Sequence, residues 1–362
     1  MSDFESLCLY LAIYSISAVF IGLWSKRKLW IAAIIGLALP IILAALRYPV
    51  GTDFWTYLQM WDRSGLLTYE DIFQHLYQEP LFHLISKLTC NYGNEKWFFG
   101  LCAGLTLIPA IISFKKQFKG HYIALFAFLF LLTNFTGSFN IMRQYIAVSF
   151  TFVASAYIFK RDIRKFAFWI IIAMMFHLSA TIFAPAYFIY SKGKFIDLKR
   201  GVILTIVFIA VLFATSLTES LSGIEGFERY AVYSEADSRA QNRSLILSAI
   251  LLTIYLIKRK KMQYVDTRTN TYLILVIIAF LIEITGSITP FIKRSGLYFN
   301  IYYIVLACIW LKSFASQRLF AKLFIIVFFL TRFIIATYFL GQANIIPYNT
   351  KETYYNDGRS QT

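Results

Sequence analysis

The sequence has little that would build a metal site or a disulfide framework. Its 362 residues include four cysteines, Cys8, Cys90, Cys102 and Cys308, which have neither CxxC nor zinc-type spacing. It contains no HExxH, no Walker loop, no GxSxG and no Asp-x-Asp pair. These absences predict no metal site, no cofactor and no disulfide. They also argue against metal-dependent chemistry on sugar nucleotides in the cytoplasm.

Acidic residues are also scarce, with 19 Asp and Glu against 35 Lys and Arg and a net charge of +16. Such an excess can indicate nucleic-acid binding. Here, however, the basic residues concentrate in short segments between apolar runs: 25–28, 115–120, 160–165, 191–200, 258–268 and 312–322. This sorting is typical of the cytoplasmic loops of membrane proteins, so we predict no nucleic-acid partner.

Apolar residues are abundant, at 59% of the chain with a mean hydropathy of +0.62. Runs of about 20 apolar residues match a hydrocarbon layer of roughly 30 Å. We predict about ten transmembrane helices: Leu7–Leu23, Leu29–Leu46, Trp97–Phe114, Tyr122–Phe135, Ile141–Phe159, Val202–Leu217, Ser244–Ile257, Tyr272–Ile288, Leu297–Leu311 and Leu319–Leu340. The predicted fold class is an all-α polytopic integral membrane protein, with residues 1–362 in a single membrane domain.

The basic segments orient the chain, because short loops rich in Lys and Arg stay in the cytoplasm. Both termini are then predicted on the outer face. The largest outer segment is 47–96, whose aromatic content predicts amphipathic helices on the outer membrane surface. A second, more polar outer loop is predicted at 218–243. Any chemistry carried by these loops would take place outside the cytoplasm.

The segment 166–190 is apolar but has a basic loop on each side. A single crossing would put one of these loops outside, so we predict a re-entrant helical hairpin that enters from the cytoplasm and returns. Residues 166–176 give about 16 Å of helix, roughly half of the layer, and the turn falls at His177-Leu178-Ser179. Two full crossings would preserve the same sidedness, and the sequence leaves this alternative open.

Four arginines are predicted in the outer half of the membrane: Arg47, Arg143, Arg294 and Arg332. Charges at membrane depth are costly, so these residues are candidates for function. A guanidinium group forks onto phosphate oxygens, and the set could bind a diphosphate at the outer headgroup level. The alternative is interfacial snorkelling combined with pairing to loop carboxylates. Glu283, in the eighth predicted span, is expected to neutralise Arg332 or Arg294.

Two residues are candidates for a general base. His177 lies at the predicted break of the hairpin, and an unperturbed histidine titrates at about 6.5. Asp53 follows Gly51-Thr52 and could accept a proton or bind a sugar hydroxyl. The structural alternative for His177 is a hydrogen-bonded core histidine, and the alternative for Asp53 is a turn cap. Glu79 and His83 lie one helical turn apart in the same outer segment, a spacing that also suits a surface ion pair.

Short motifs follow one another along nearly the whole chain. They are Arg47-Tyr-Pro-Val-Gly-Thr-Asp53, Tyr57, Glu79-Pro80-Leu-Phe82, Phe139-Asn-Ile-Met-Arg143-Gln144, Phe176-His177-Leu-Ser179-Ala180 and Ile346-Pro347-Tyr348. Their order and spacing resemble the EpsG-like branch of the Wzy-type polysaccharide polymerases. Lys293-Arg294-Ser-Gly-Leu-Tyr298-Phe299 departs from that family, which often shows Arg-Leu or Arg-Phe before an aromatic pair.

The resemblance implies a metal-independent membrane glycosyltransferase with a GT-C-like architecture. Such enzymes join oligosaccharide repeat units carried on undecaprenyl diphosphate, at the outer face of the bacterial cytoplasmic (inner) membrane. Their products are O-antigen, capsule or exopolysaccharide. The implied partners are the lipid-linked oligosaccharides, the lipid bilayer and a separate chain-length regulator protein.

On this hypothesis the candidate residues take three roles. Arg143 and Arg332, with Arg47 and Arg294, bind the donor's diphosphate, while His177 or Asp53 takes the proton of the acceptor hydroxyl. Glycan-binding or supporting positions are Tyr57, Glu79, Gln144, Asn140 and Tyr298.

Three other membrane functions share some of these features. A lipid-linked oligosaccharide flippase also needs many spans, but a transporter is expected to have related halves and charges through both leaflets. A membrane O-acetyltransferase needs a cytoplasmic acyl donor, whereas the polar residues here are predicted outside. An O-antigen ligase differs in its acceptor alone, and the sequence leaves it open.

Overall fold

The computed structural model describes residues 1–74, 79–118, 122–191, 194–195, 238–285, 294–314 and 318–351. The predicted span Val202–Leu217 and most of the predicted outer loop 218–243 lie outside these residues. The described residues are helical except for connecting turns and one antiparallel pair of two-residue strands, β1 (Tyr190–Ser191) and β2 (Lys194–Phe195). The helical fold class is therefore confirmed for this part of the chain.

The helices agree with the predicted spans. The N-terminal half forms α1 (Asp3–Arg27), α2 (Trp30–Leu46), α3 (Phe54–Leu66), α4 (Tyr69–Gln74), α5 (Pro80–Tyr92), α6 (Glu95–Gln117) and α7 (Ile123–Phe130), which continues as a π-helix, Leu131–Phe135. The rest forms α8 (Met142–Lys160), α9 (Ile163–Phe176), a 3₁₀ helix (Leu178–Ile189), α10 (Ser238–Val265), α11 (Thr269–Thr285), α12 (Leu297–Lys312) and α13 (Arg318–Ile334), followed by a π-helix (Ile335–Phe339) and a 3₁₀ turn (Gln342–Asn344). Each predicted span that falls on described residues overlaps one of these helices.

Several of the described helices are apolar enough to lie in a membrane. Those long enough to cross it by themselves are Asp3–Arg27, Glu95–Gln117 and Leu319–Phe339. Shorter apolar helices of 10–17 residues are Trp30–Leu46, Ile123–Phe135, Leu178–Ile189, Thr269–Thr285 and Leu297–Lys312. A 17-residue helix is about 26 Å long, close to the hydrocarbon thickness. These helices indicate a polytopic membrane protein, while the count of ten crossings, the GT-C-like architecture and the orientation stay predictions.

The chain forms two compact units. The first comprises Met1–Ala156, Ala167–Thr181 and Ile326–Thr362, and the second comprises Tyr157–Phe166 and Ile182–Ile325. This division does not test the prediction of a single membrane domain.

Small residues let helices of the first unit approach closely. At Gly36 in α2, an added Cβ atom would lie 3.0 Å from both Ser17 O and Ile21 N of α1. The Ser17 hydroxyl donates to the Gly36 carbonyl. Gly22 of α1 is packed against Ala124 of α7, whose Cβ would be 2.9 Å from a Cβ at Gly22. Such close backbone packing drives helix association in lipid, where burial of apolar surface gives no advantage.

The predicted outer segment 47–96 is folded into α3, α4 and α5, which belong to the first unit. Phe54 of α3 stacks on Phe99 of α6 with 4.9 Å between ring centroids. The Trp61 indole donates to the Thr89 hydroxyl at 3.0 Å, which joins α3 to α5. The predicted helices are confirmed, and their position on the membrane surface stays a prediction.

The C-terminal segment of the first unit packs against α2 and the outer segment. The Tyr348 hydroxyl donates to Leu43 O at 2.9 Å. The backbone of residues 47–48 pairs with that of residues 349–350. The end of α2 is therefore held by residues about 300 positions later in the chain.

The chain breaks at His177, where the sequence predicts a turn. Helix α9 ends at Phe176, and the 3₁₀ helix begins at Leu178. Within the second unit, the Phe166 ring lies 5.1 Å from the Tyr187 ring, and Arg161 Nη1 donates to Tyr187 O at 3.1 Å. Residues early in the segment thus contact residues late in it, as in a hairpin. Whether the hairpin is re-entrant or crosses the membrane twice stays open.

Aromatic rings form the centre of the second unit. Tyr302 of α12 stacks on Phe183 and on Tyr272, with centroid distances of 6.0 and 5.7 Å and interplanar angles of 5° and 21°. The Tyr255 hydroxyl of α10 donates to Tyr303 O at 2.9 Å. These contacts join α10, α11, α12 and the 3₁₀ helix.

Candidate active site

Glu79 has the most unusual backbone of the candidate residues. Its φ of 61° and ψ of 63° lie in the left-handed region, which residues with a side chain rarely adopt. It directly precedes Pro80, the first residue of α5, and proline disfavours the right-handed helical conformation in the residue before it. A strained backbone of this kind costs about 1–3 kcal/mol and is found most often at functional sites. The Glu79 side chain is only 7% exposed.

The Glu79 carboxylate binds side chains from two distant parts of the first unit. Its Oε2 atom accepts a hydrogen bond from Arg143 Nη1 at 2.6 Å. Its Oε1 atom is hydrogen-bonded to His177 Nδ1 and also accepts from the Leu178 backbone N–H at 3.4 Å. One buried acid therefore joins the outer segment to α8 and to the break after α9.

The charges around Glu79 keep it ionised. Burial raises the pKa of the Glu79 carboxyl, but the hydrogen bond from His177 and the positive charge of Arg143 outweigh burial, so the net pKa is below its ordinary value. An ionised carboxylate only accepts hydrogen bonds. His177 Nδ1 must therefore carry the proton in their hydrogen bond. In a neutral imidazole this leaves the Nε2 lone pair available as a base.

Arg143, in the first turn of α8, keeps binding capacity beyond Glu79. Its side chain is 31% exposed, and its guanidinium lies over the Phe82 ring, 5.6 Å from the centroid. The Tyr57 hydroxyl is hydrogen-bonded to it. The Nε atom is buried and has no hydrogen-bond partner among the described residues. A buried donor without a partner is costly, but this atom is covered, so an anionic oxygen would meet the exposed part of the side chain.

Tyr57 and Asp53 belong to the first turn of α3. Tyr57 is buried and packs its ring edge-on to Phe82, with 6.0 Å between centroids. Burial raises the pKa of the Tyr57 hydroxyl although the charge of Arg143 opposes this, so the hydroxyl stays protonated. Asp53 is half-buried, and it accepts a hydrogen bond from the Thr52 hydroxyl at 3.0 Å. It lies one helical turn before Tyr57, at the edge of the cluster.

Arg47 is enclosed by the protein. It is 4% exposed, Nη1 donates to Phe139 O at 2.8 Å, and the guanidinium lies between the Phe99 and Phe139 rings at 4.7 and 4.5 Å. These contacts stabilise the junction between α2 and the turn before α8. These contacts cover the guanidinium, and the predicted role of Arg47 in binding a diphosphate stays a prediction.

Asn140 and Gly51 fix the turns beside the site. Gly51 has φ 100°, and an added Cβ atom would lie 2.5 Å from Asn140 Oδ1 and 3.0 Å from Phe139 O. Asn140 Nδ2 donates to Ala343 O at 2.8 Å, and the Gly51 N–H donates to Asn344 O at 3.0 Å. The C-terminal segment thus holds both the Gly-Thr-Asp turn and the residues just before Arg143.

The remaining candidates are distributed over both units. In the first, Gln144 is buried beside Arg143 in sequence, and Arg332 of α13 is half-buried with its charge acting on the Tyr145 hydroxyl of α8. In the second, Arg294 is exposed just before α12, and Tyr298 is fully buried in it. The expected pairing of Glu283 with Arg332 or Arg294 stays a prediction.

His83 is the residue whose environment the sequence did not reveal. Its Nδ1 atom lies 2.8 Å from the Ser64 hydroxyl of α3, so it is not simply an ion-pair partner of Glu79. Burial lowers the pKa of His83, and the charge of Arg143 lowers it further. The one sequence signal was its position one helical turn after Glu79.

Within the described residues, no group of three or more His, Cys, Asp or Glu side chains could hold a metal ion. The chemistry these side chains offer is an oriented imidazole base beside a guanidinium. Such a pair can accept a proton from a hydroxyl and bind a leaving anion.

Comparison with known proteins assigns the chain to a sequence family. The sequence model of a family described as the EpsG family matches residues 29–350, which is nearly the whole chain. No curated protein matches the chain, and no solved structure matches it.

Proposed function

The chain belongs to the EpsG family, whose members are Wzy-type polymerases, and from this premise we propose that it polymerises lipid-linked oligosaccharide repeat units. The donor would be a glycan on undecaprenyl diphosphate, and the acceptor would be the non-reducing-end hydroxyl of another lipid-linked repeat. The reaction would occur at the outer face of the bacterial cytoplasmic membrane. The partners would be the lipid-linked glycans, the bilayer and a chain-length regulator protein.

The observation that carries this proposal is the Glu79 carboxylate shared by His177 and Arg143. A glycosyl transfer from a diphosphate needs a group that accepts the acceptor's proton and a group that stabilises the leaving diphosphate. The shared carboxylate fixes both groups relative to each other. It also fixes the protonated nitrogen of His177, so that the other nitrogen can act as the base.

The proposed reaction proceeds by displacement. The acceptor hydroxyl attacks the donor's anomeric carbon, a new C–O bond forms, and the bond to the diphosphate oxygen breaks. His177 Nε2 takes the hydroxyl proton, and the undecaprenyl diphosphate leaves with the bonding electron pair. Arg143, together with Arg332, stabilises the charge on the leaving diphosphate.

Several residues support this arrangement. Tyr57 and the ring of Phe82 hold the Arg143 guanidinium, and Asn140 and Gln144 lie next to Arg143 in sequence. Arg47 supports the turn from which α8 starts. Asp53 lies at the edge of the cluster and would contact the acceptor sugar. Diphosphate binding by Arg294 and glycan binding by Tyr298 stay predictions from the sequence.

Purified protein in detergent tests the proposal. The substrate is the lipid-linked repeat extracted from membranes of a strain in which the gene is deleted. Wild-type protein should convert it, in excess EDTA, to a ladder of products spaced by one repeat. His177→Ala and Arg143→Ala proteins should leave single repeats.

The alternatives give different results in the same assay. A flippase only moves lipid-linked glycans across a sealed membrane, so in detergent it would leave the single repeats unchanged. An O-antigen ligase transfers glycan only when a different lipid acceptor, such as a lipid A core, is added. An unchanged pool of single repeats with folded wild-type protein would reject the polymerase function.

A further inference from the structure

A second histidine, His83, lies close to Glu79, and its backbone N–H donates to Glu79 O at 3.3 Å, but its imidazole is hydrogen-bonded to Ser64 and not to the Glu79 carboxylate or to Arg143. Its Nδ1 atom is 2.8 Å from Ser64 Oγ. The Ser64 side chain is fully buried, and its Oγ is also 2.7 Å from Met60 O in the preceding turn of α3. Within the described residues, Ser64 is the one hydrogen-bond partner of the imidazole.

These two distances determine which nitrogen of His83 carries the proton. A carbonyl oxygen can only accept, so the Ser64 hydroxyl must use its single proton to donate to Met60 O. Ser64 Oγ can then only accept from the imidazole. Nδ1 therefore carries hydrogen, and Nε2 of the neutral ring has a free lone pair.

The surroundings of His83 select its ligand. His83 is in the first turn of α5, four residues after Glu79, and the charges of Arg143 and Glu79 both act on the ring. The Phe82 ring lies edge-on to the imidazole, 5.9 Å between centroids. A neutral Nε2 lone pair repels phosphate oxygens, which carry no hydrogen, but it accepts from a hydroxyl. Sugar hydroxyls are the donors that fit.

We propose that His83 binds the glycan directly, with Nε2 accepting a hydrogen bond from a sugar hydroxyl held next to Arg143. Ser64 positions the ring for this contact. The inference rests on the proposed polymerase function, because it takes the substrate to be a lipid-linked glycan. His83 then contributes to sugar recognition while His177 performs the proton transfer.

Two amide substitutions separate recognition from structure. In His83→Asn the amide can replace Nδ1 and keep the bond to Ser64, but nothing reaches the Nε2 position. In His83→Gln the amide reaches the Nε2 position and loses the bond to Ser64. The KM for lipid-linked repeats extracted from the deletion strain, and kcat, are measured for both variants in detergent.

The proposal expects His83→Asn to raise KM about tenfold, the factor of one ordinary hydrogen bond, with kcat nearly unchanged. His83→Gln should stay within about threefold of wild type. The reverse order, with the Asn variant normal and the Gln variant impaired, would show that His83 acts only as a structural partner of Ser64.

A third variant keeps the test decisive if the Asn protein does not fold. Ser64→Ala retains the imidazole and its Nε2 atom but removes the contact to Nδ1, so its KM should stay within about threefold of wild type, as in His83→Gln. A rise in KM of about tenfold in Ser64→Ala would overturn the proposal, because the contact to Ser64 and not the Nε2 atom would then account for the role of His83. Absence of any polymer from folded wild-type protein would instead reject the proposed function on which this inference rests.

Discussion

Glu79 and Arg143 form an ion pair with 2.6 Å between Oε2 and Nη1, in which the acid is buried and the arginine is partly exposed. The acid comes from the outer segment and the arginine from α8, 64 residues later. The same acid orients His177 through its other oxygen. The pair therefore has a structural role, the proposed function gives it a catalytic one as well, and the two can be separated by experiment.

The structural role predicts non-additive losses of stability. Glu79→Gln leaves Arg143 without its counter-charge, and Arg143→Met leaves Glu79 without its own. Each single change should lower the free energy of unfolding by about 2–3 kcal/mol, the range for hydrogen bonds to charged groups. The double variant should lose clearly less than the sum, because neither charge is then left alone. Unfolding in detergent followed by circular dichroism measures all four proteins.

A matched control uses the pair of Lys165, which is exposed, and Asp162, which are 3.0 Å apart. Lys165→Met should cause no measurable loss, since ion pairs of exposed side chains contribute little. If losses at Glu79 and Arg143 simply added, the pair would not be coupled.

The catalytic role predicts that His177 and Asp53 differ strongly. His177→Ala should lower kcat by about 10²–10⁴-fold, the usual contribution of a general base. Asp53→Asn should lower it by less than about tenfold, because Asp53 is at the edge of the cluster and bonded to Thr52. Rates of ladder formation from extracted lipid-linked repeats check both. A larger effect at Asp53 than at His177 would reverse the assignment of the base.

Stability should depend on pH through Glu79. Its pKa in the folded protein is below its ordinary value, since the bond from His177 and the charge of Arg143 outweigh burial. A group with a lowered folded pKa stabilises the protein fully above its unfolded pKa, about 4.3, and this stabilisation is lost as the pH falls through the folded pKa.

The difference in unfolding free energy between wild type and Glu79→Gln should thus be constant from about pH 5 upward and shrink below about pH 4. Detergent-solubilised protein titrated from pH 3 to pH 7 shows this directly. A difference that grew as the pH fell would mean that the folded state binds protons at Glu79 more tightly than the unfolded state does.

The sequence predicted the parts of the fold that depend on local pattern. Apolar runs located the helices, and the basic segments on both sides of 166–190 led to the break at His177, where α9 ends. The same pattern could not show that the outer segment 47–96 contacts α8 and the break at His177. The central position of Glu79 depends on partners 64 and 98 residues away in the chain, and no periodicity in one segment contains that information.

Arg47 is a second residue whose environment depends on contacts with residues distant in the chain. Its place next to an apolar span suggested a diphosphate ligand, yet the guanidinium is enclosed between Phe99 and Phe139. One of these rings is about 50 residues away in the chain and the other about 90. The sequence could suggest a depth for Arg47, but it could not show that its guanidinium is already covered by two rings.

Gly51 provides a test of the turn that holds the site. Gly51→Ala would put a Cβ atom 2.5 Å from Asn140 Oδ1 in a backbone with φ 100°, so the turn must move. We expect a loss of about 1–3 kcal/mol of stability and a lower rate of polymer formation, since Asn140 lies three residues before Arg143. Gly104→Ala is the control, because its Cβ would make only ordinary contacts of 3.7 and 3.8 Å. Equal effects of the two substitutions would show that the turn does not depend on glycine.

The proposed mechanism also depends on which side of the membrane the cluster of Glu79, Arg143 and His177 faces. The proposed reaction takes place outside the cytoplasm, so the cluster must face outward. Thr52 and Lys26 are both exposed, at opposite predicted ends of the first helices. In a variant with its four cysteines replaced, Thr52→Cys should react with a membrane-impermeant maleimide in intact spheroplasts, and Lys26→Cys should react only after lysis. Cys8, which is exposed in wild type, must be among those replaced. Labelling of Lys26→Cys in intact spheroplasts, with Thr52→Cys protected, would show that the topology is the inverse of the predicted one. Glu79, Arg143 and His177 would then have to act on a cytoplasmic substrate.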